Sequence, residues 1–335
     1  MKQSRLFISV LLAFILVTLA SGALGHAADF KYIRRGNSSD VQTRTEAGIA
    51  LMGGGEDLDE AFRWLCGKGN GGDFLILRAH GNADYNPYVA ALCKANSVAT
   101  LIIPSRKAAQ HLRVAEIIRQ AEVIFIAGGD QARYLNFWKD TPVQDAVNVH
   151  VAAGKPIGGT SAGLAVLGGF VYGALADKKD DPDLTSREVL ADPYINRVTL
   201  VREFLKVPGL ENVLTDSHFA NRDRMGRSLG FLARIVHDGW SRAPREIAID
   251  EKSALLVDAS GRGKVVGTGL GVYFLQVTEA PVVCKPGQPL TLRNVAVYHA
   301  PGGAKFDVGA WSGEGGEAYS ISAEEGTIRS GRAPY

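Results

Sequence analysis

An α/β fold built on a mostly parallel, doubly wound sheet is what this sequence predicts, and three observations predict it. Short, apolar, β-rich runs alternate with segments of helical length. The runs are bounded by turn residues, as expected of strands covered on both faces. Each run ends in glycine or a polar residue, and an open sheet of this class holds its ligands at such ends. At 335 residues, 46% hydrophobic and 21% charged, the chain can bury a full-sized core in one large domain or two.

The chain opens with Lys2 and Arg5 ahead of an apolar run over 6–19, followed by small residues with Gly25 and Ala27 in small-x-small spacing. This predicts a signal peptide over 1–28 and a secreted or periplasmic protein, with no membrane association once the peptide is removed. The competing reading is an uncleaved anchor, because an apolar run of roughly 18 residues can span a bilayer. No cysteine follows the run, which argues against a lipoprotein. Export would carry Cys66, Cys93 and Cys284 into an oxidising compartment, where one pair can form a disulfide; spacing leaves the pair open. None of the three lies in a Cys/His cluster, so neither a metal nor a cofactor is expected.

The runs in order are AGIALMGGG (47–55), DFLILRAHG (73–81), ATLIIPS (99–105) and EVIFIAGGD (122–130). A helix over 143–153 precedes the short strand KPIGG, and a polar insert over 174–194 reads as a surface loop. VLTDSHF (213–219) resumes the strand pattern, with a helix expected over 222–236. From Glu246 onward, EIAIDEKSALLVD, GKVVGTGLGVYFLQV and LTLRNVAVYHA read as hairpin strands. The formal net charge of +2, without a dense basic tract beyond the N-terminus, gives no case for nucleic acid. A small molecule or peptide is the expected partner, and the oligomeric state is open, a homodimer included.

The pattern G-x-S-x-G, which can present a serine nucleophile on a strained strand-to-helix turn, occurs twice. Around Ser228 the apolar residues Met225, Leu229, Leu232 and Ile235 recur at helical spacing, so Ser228 reads as a helix residue. Around Ser161 a strand precedes (Ile157) and a helix follows (Leu164, Val166, Leu167), with Gly158, Gly159 and Gly163 keeping the turn free of side chains. Context selects Ser161.

A serine hydroxyl needs a base and donors for the oxyanion that forms. His218 closes a strand at a predicted ligand-bearing edge; His80 is the reserve. Arg222, Arg224 and Arg227 follow closely, in the expected first turns of a helix, where the dipole disfavours cations. They call for an anionic partner: Asp216 and Asp223 in a structural reading, a substrate carboxylate in a functional one.

Four segments, FIAGGDQ (125–131), GGTSAG (158–163), DSHFANRDRMGR (216–227) and IAIDEKSALLV (247–257), together resemble the cyanophycinase and aspartyl dipeptidase family of serine peptidases. The resemblance covers about 47–277 and implies a class I glutamine amidotransferase-like, flavodoxin-like fold. It leaves 278–335 as a β-rich C-terminal extension. It further implies Ser161 as nucleophile, His218 as base, and an oxyanion hole from the N–H groups of Gly129 and Ala162. Gln131, Asp216, Arg222, Arg224 and Arg227 match the family's substrate positions, and the implied substrate is an aspartate-containing peptide. Ser217 stands where cyanophycinases usually have glutamine. For the acid that orients the histidine, Glu188 is the expected residue and Asp177 the second choice. Two other readings stand beside this one: an α/β-hydrolase esterase, whose histidine usually lies near the chain end, and a non-catalytic binding protein, which a missing acidic partner would favour.

Overall fold

The computed structural model describes residues 29–178 and 181–335; the expected signal peptide over 1–28 lies outside the described residues. In chain order the first half comprises β1 (Lys31–Gly36), β2 (Gly48–Met52), α1 (Asp59–Gly69), β3 (Asp73–Arg78), α2 (Tyr85–Leu92), β4 (Ser97–Ile102), α3 (Arg106–Ala109), α4 (Leu112–Gln120), β5 (Val123–Ile126), α5 (Gln131–Trp138), α6 (Pro142–Ala152) and β6 (Ile157–Thr160). Strands β4, β3, β5, β6 and β2 lie side by side in that order, all parallel. Both faces of this sheet are covered. Ala50, Phe74, Ile76 and Phe125 pack with Phe62 and Leu65 of α1, whereas Leu51, Leu75, Leu77, Ile124 and Ile126 pack with residues of α4 and α6. Alternate residues therefore meet different helical layers, and every position of these strands can be apolar.

The second half adds α7 (Ala162–Ala165), β7 (Phe170–Tyr172), α8 (Ser186–Ala191), β8 (Leu200–Arg202), β9 (Val213–Asp216), α9 (Met225–His237), β10 (Arg245–Ile249), β11 (Ser253–Asp258), β12 (Arg262–Gly267), β13 (Val272–Gln276), β14 (Leu292–Ala300), β15 (Lys305–Asp307), β16 (Ser312–Glu314), β17 (Glu317–Glu324) and β18 (Thr327–Ser330). They complete a ten-stranded sheet, β1-β4-β3-β5-β6-β2-β11-β12-β15-β16, and form an eight-stranded one, β18-β17-β14-β13-β10-β9-β7-β8. The architecture is α/β with mixed sheets and a large β-rich C-terminal region.

The expected hairpins in 246–277 are only partly present. β11 and β12 do form one, but β10 pairs with β9 and β13 in the smaller sheet while β11 pairs with β2 in the larger. The chain therefore crosses between sheets at residues 250–252, and crosses back between β12 and β13. Alternating apolar runs with short polar links look the same whether the next strand pairs with its neighbour or departs to another sheet. The expected boundary at 277/278 falls between β13 and β14, which are hydrogen-bonded neighbours, and β15 and β16 extend the larger sheet from β12.

Cys66, in α1, is disulfide-bonded to Cys93, just beyond α2, and Cys284 is free and buried. Among the described residues no helix is long and apolar enough to cross a membrane, and no side-chain cluster could hold a metal ion.

Candidate active site

Ser161 lies between β6 and α7 with φ 52° and ψ −120°, a conformation rarely adopted by residues with a side chain. Its N–H donates to the Met52 carbonyl at the end of the neighbouring strand, which fixes the turn to the sheet. The close packing requires glycine at 163, because a Cβ there would meet the Ile126 carbonyl. Small residues around Ser161 thus have a backbone cause: the elbow is pressed against the ends of β2 and β5.

His218 follows β9, also at positive φ (47°), and its N–H donates to the Gly53 carbonyl at 2.8 Å. A Cβ on Gly54 would fall on the imidazole, so the glycines after β2 form the wall against which the ring rests. Ser161 Oγ lies 2.8 Å from His218 Nε2, and His218 Nδ1 lies 2.6 Å from Glu251 Oε1. An ionised carboxylate only accepts, so Nδ1 carries the proton and donates to Glu251, leaving Nε2 free to accept from the serine hydroxyl. The three side chains form one continuous relay.

Glu251 occupies the crossing from β10 to β11. Its neighbours hold the crossing to the surroundings of the histidine: Lys252 N–H donates to the Gly54 carbonyl, and Asp250 Oδ1 accepts from Asn221 N–H, three residues beyond the histidine. Burial disfavours the charged imidazolium, and Arg222 and Arg224 disfavour it further; the Glu251 hydrogen bond opposes them without prevailing, so the His218 pKa falls below its ordinary value of 6.5. The base is therefore neutral at a pH where a free imidazole is already charging. The acid limb of Ser161 acylation by a fluorophosphonate should lie below pH 6.5; a limb at or above that value would count against His218 as the titrating group.

Glu188 does not reach this relay. Its Oε2 accepts from the N–H and hydroxyl of Thr185 in a capping box at the start of α8, and its Oε1 pairs with Arg197. The sequence TSRE is a capping signal, and the carboxylate is used locally. Asp177 is likewise taken, by Arg197 Nε at 2.8 Å and by the Tyr172 hydroxyl. The residue missed, Glu251, lies inside one of the four resembling segments; its available signal was an acidic pair, Asp250-Glu251, between two apolar strands.

The arginines divide. Helix α9 begins at Met225, three residues later than expected, because residues 218–224 form a tight loop with Asp223 at φ 48°. Arg222 and Arg224 thus precede the helix. Arg227 is buried within it and grips Asp216, Nε to Oδ2 at 3.0 Å and Nη2 to Oδ1 at 2.6 Å, while its guanidinium lies over Tyr172 and Phe231. Asp216 would be raised by burial, but Arg227 and Arg224 outweigh this and hold it below the usual carboxylate range. Asp216 and Arg227 thus form a buried ion pair, and both also line the cleft described below. Replacing Arg227 by methionine should cost about 3–5 kcal/mol in a denaturant-unfolding measurement, because it leaves a buried carboxylate with one partner fewer. Ser228 donates to buried Glu246 at 2.6 Å, a carboxyl that burial, together with nearby Asp216, pushes up to about 8; the second G-x-S-x-G copy serves this contact inside α9.

A cleft of about 540 Å³ opens over the relay. Gly129, Gln131, Ser161, Ala162, Arg222 and Arg224 are among the residues lining it, so these expected positions do converge. Gly128 and Gly129 lie beside the elbow: a Cβ on Gly128 would sit 3.4 Å from that of Ser161, and the Tyr134 hydroxyl bonds to the Ala127 carbonyl, which steadies the loop.

Residues 49–190 match the model of Peptidase family S51. Over that stretch the chain is similar to the S51 peptidases. It is 28% identical over 217 residues to a cyanophycinase of Trichormus variabilis, and 27% identical over 281 residues to one of Geminocystis herdmanii. The first match covers 63% of this chain and 65% of that relative's length, so the chain spans just under two thirds of it; the second covers 77% and 93%. A solved peptidase from an acI-B1 actinobacterium superposes with a TM-score of 0.49 at 19% identity, covering 71% of this chain and 96% of that one. The S51 match includes the elbow and ends before His218 and Glu251, for which the distances above are the direct observation.

Proposed function

We propose that this chain is an exported, cyanophycinase-like serine peptidase that hydrolyses amide or isopeptide bonds in aspartate-containing peptides. The observation that carries the reading is the unbroken Ser161–His218–Glu251 relay on a strained elbow, with spacings of 2.8 and 2.6 Å. Similarity to S51 peptidases supports the bond type, and the neighbouring parallel strands β4-β3-β5-β6, in the relative order 2-1-3-4, support a class I glutamine amidotransferase-like, flavodoxin-like core to which β2 is added. Export is supported by the sequence of the first 28 residues and by the Cys66–Cys93 disulfide.

In this mechanism His218 Nε2 takes the hydroxyl proton as Ser161 Oγ attacks the scissile carbonyl, and the N–H groups of Gly129 and Ala162 receive the developing oxyanion. Collapse expels the amine, which takes the proton from His218. Water, deprotonated by the same nitrogen, then releases the acyl group and restores Ser161. Glu251 holds the imidazole in the accepting tautomer and offsets its charge while it is protonated. Gln131, Arg222 and Arg224 line the binding side and favour an acidic ligand.

The decisive experiment assays purified protein on cyanophycin, β-aspartyl and α-aspartyl dipeptides, with Ser161→Ala as control. Turnover of any one that the variant lacks supports the reading; no turnover, together with no labelling of Ser161 by a fluorophosphonate, overturns it. A missing acid would favour the non-catalytic alternative, and the 2.6 Å contact of Glu251 with His218 counts against it.

A further inference from the structure

Arg222 and Arg224 are already engaged by a residue of the chain itself. Asp183, in the insert before α8, uses a single oxygen, Oδ2, to accept from Arg222 Nη1 at 2.9 Å and Arg224 Nη2 at 3.0 Å. The two partners differ in exposure: the Arg224 side chain is 9% exposed and that of Asp183 55%. Arg224 Nη1 bonds to the Ser217 carbonyl and Asp216, but its buried Nε has no partner among the described residues. A planar guanidinium is suited to two parallel bonds with a carboxylate, and Asp183 offers Arg222 and Arg224 one shared oxygen. Burial would raise the Asp183 carboxyl, yet Arg224 and Arg222 hold it below the usual range, so it is charged while in place.

Other contacts also hold the chain on either side of Asp183. Arg197 ties Asp177 and the Pro182 carbonyl together, Thr185 caps α8, and Leu184 is buried. Asp183 is thus an exposed carboxylate, held near a cationic pair inside the cleft by anchors on either side of it.

We propose that Asp183 is an internal occupant of a carboxylate site formed by Arg222 and Arg224, and that it sets specificity by competing with acidic ligands for that site. The proposal rests on the reading of the cleft as the place where an acidic peptide binds. A free carboxylate that takes both donors of the fork displaces Asp183, and its apparent affinity is reduced by the fraction of protein in which Asp183 is seated. Removing the charge of Asp183 should lift that reduction, by about 5–30-fold if the seated contact resembles other charge-assisted pairs.

Succinate is the probe, titrated calorimetrically into Ser161→Ala protein so that turnover plays no part. Adding Asp183→Asn should tighten succinate about 5–30-fold, Asp183→Glu should stay near the parent, and Arg222→Gln should weaken binding in either background. Unchanged or weaker binding in Asp183→Asn, with an unshifted melting temperature, overturns the proposal, as does binding by neither protein. If succinate tightens while no aspartyl peptide is cleaved by protein carrying Ser161, the peptidase reading fails and this inference stands. If peptides are cleaved and succinate affinity ignores Asp183, the inference alone fails.

Discussion

Ser161→Ala is expected to abolish fluorophosphonate labelling and to reduce hydrolysis of any peptide the protein cleaves by about 10⁴-fold or more, leaving only what the oxyanion donors and binding supply. The size follows from chemistry, because no other hydroxyl lies within hydrogen-bond reach of His218 Nε2 among the described residues. The fold should persist. The hydrogen bonds that pin the elbow run through the backbone, from Ser161 N–H to Met52 and from Ala165 N–H to the Ser161 carbonyl, and alanine keeps both. The backbone at φ 52° suits alanine no worse than serine, so the melting temperature should move little. Labelling that persists in a folded Ser161→Ala protein would remove Ser161 from the reaction.

The second large effect is expected at Glu251. Glutamine is nearly isosteric, but its amide can donate to His218 Nδ1. The ring then carries its proton on Nε2 and cannot accept from Ser161. A fall in kcat of roughly 10³–10⁴ is expected, the scale on which a wrongly held tautomer acts in serine hydrolases. Glu188→Gln is the matched comparison, because glutamine still serves at the third position of the α8 capping box, so stability should change little and kcat not at all. Kinetics and melting temperatures of the two proteins decide between the acids. A Glu188→Gln enzyme that loses turnover beside an active Glu251→Gln enzyme would reverse the assignment.

These two residues also mark how much of the molecule could be read in one dimension. Ser161 was legible because everything that makes it special is local: an apolar strand, a run of small residues, then a helix. The same reasoning separated it from Ser228, whose neighbours recur at helical spacing and whose hydroxyl meets Glu246 inside α9. The parallel core was legible for a related reason, since β2 to β6 are each apolar on both faces and separated by helices, and no other common arrangement buries such strands. His218 followed from its place at the end of β9.

Glu251 was not legible, although its segment was among those that carried the resemblance. It meets the histidine only because the chain leaves one sheet after Ile249 and enters another at Ser253, and nothing in the run EIAIDEKSALLVD distinguishes that crossing from a hairpin. The arginines failed in the opposite direction. All three line the cleft, but Arg227 and Arg224 pair with Asp216, while Arg222 and Arg224 meet Asp183.

The sequence by itself thus determined the strand-turn-helix around Ser161, the class of the sheet beneath it and the histidine at the sheet's edge, because each is announced by a local pattern of apolar and small residues. Only the tertiary structure decided which carboxylate meets the imidazole and which carboxylates the arginines engage. Hydrogen-bond geometry and desolvation act over a few ångströms of space, and the residues they join here are 33 positions apart for His218 and Glu251 and 41 for Arg224 and Asp183.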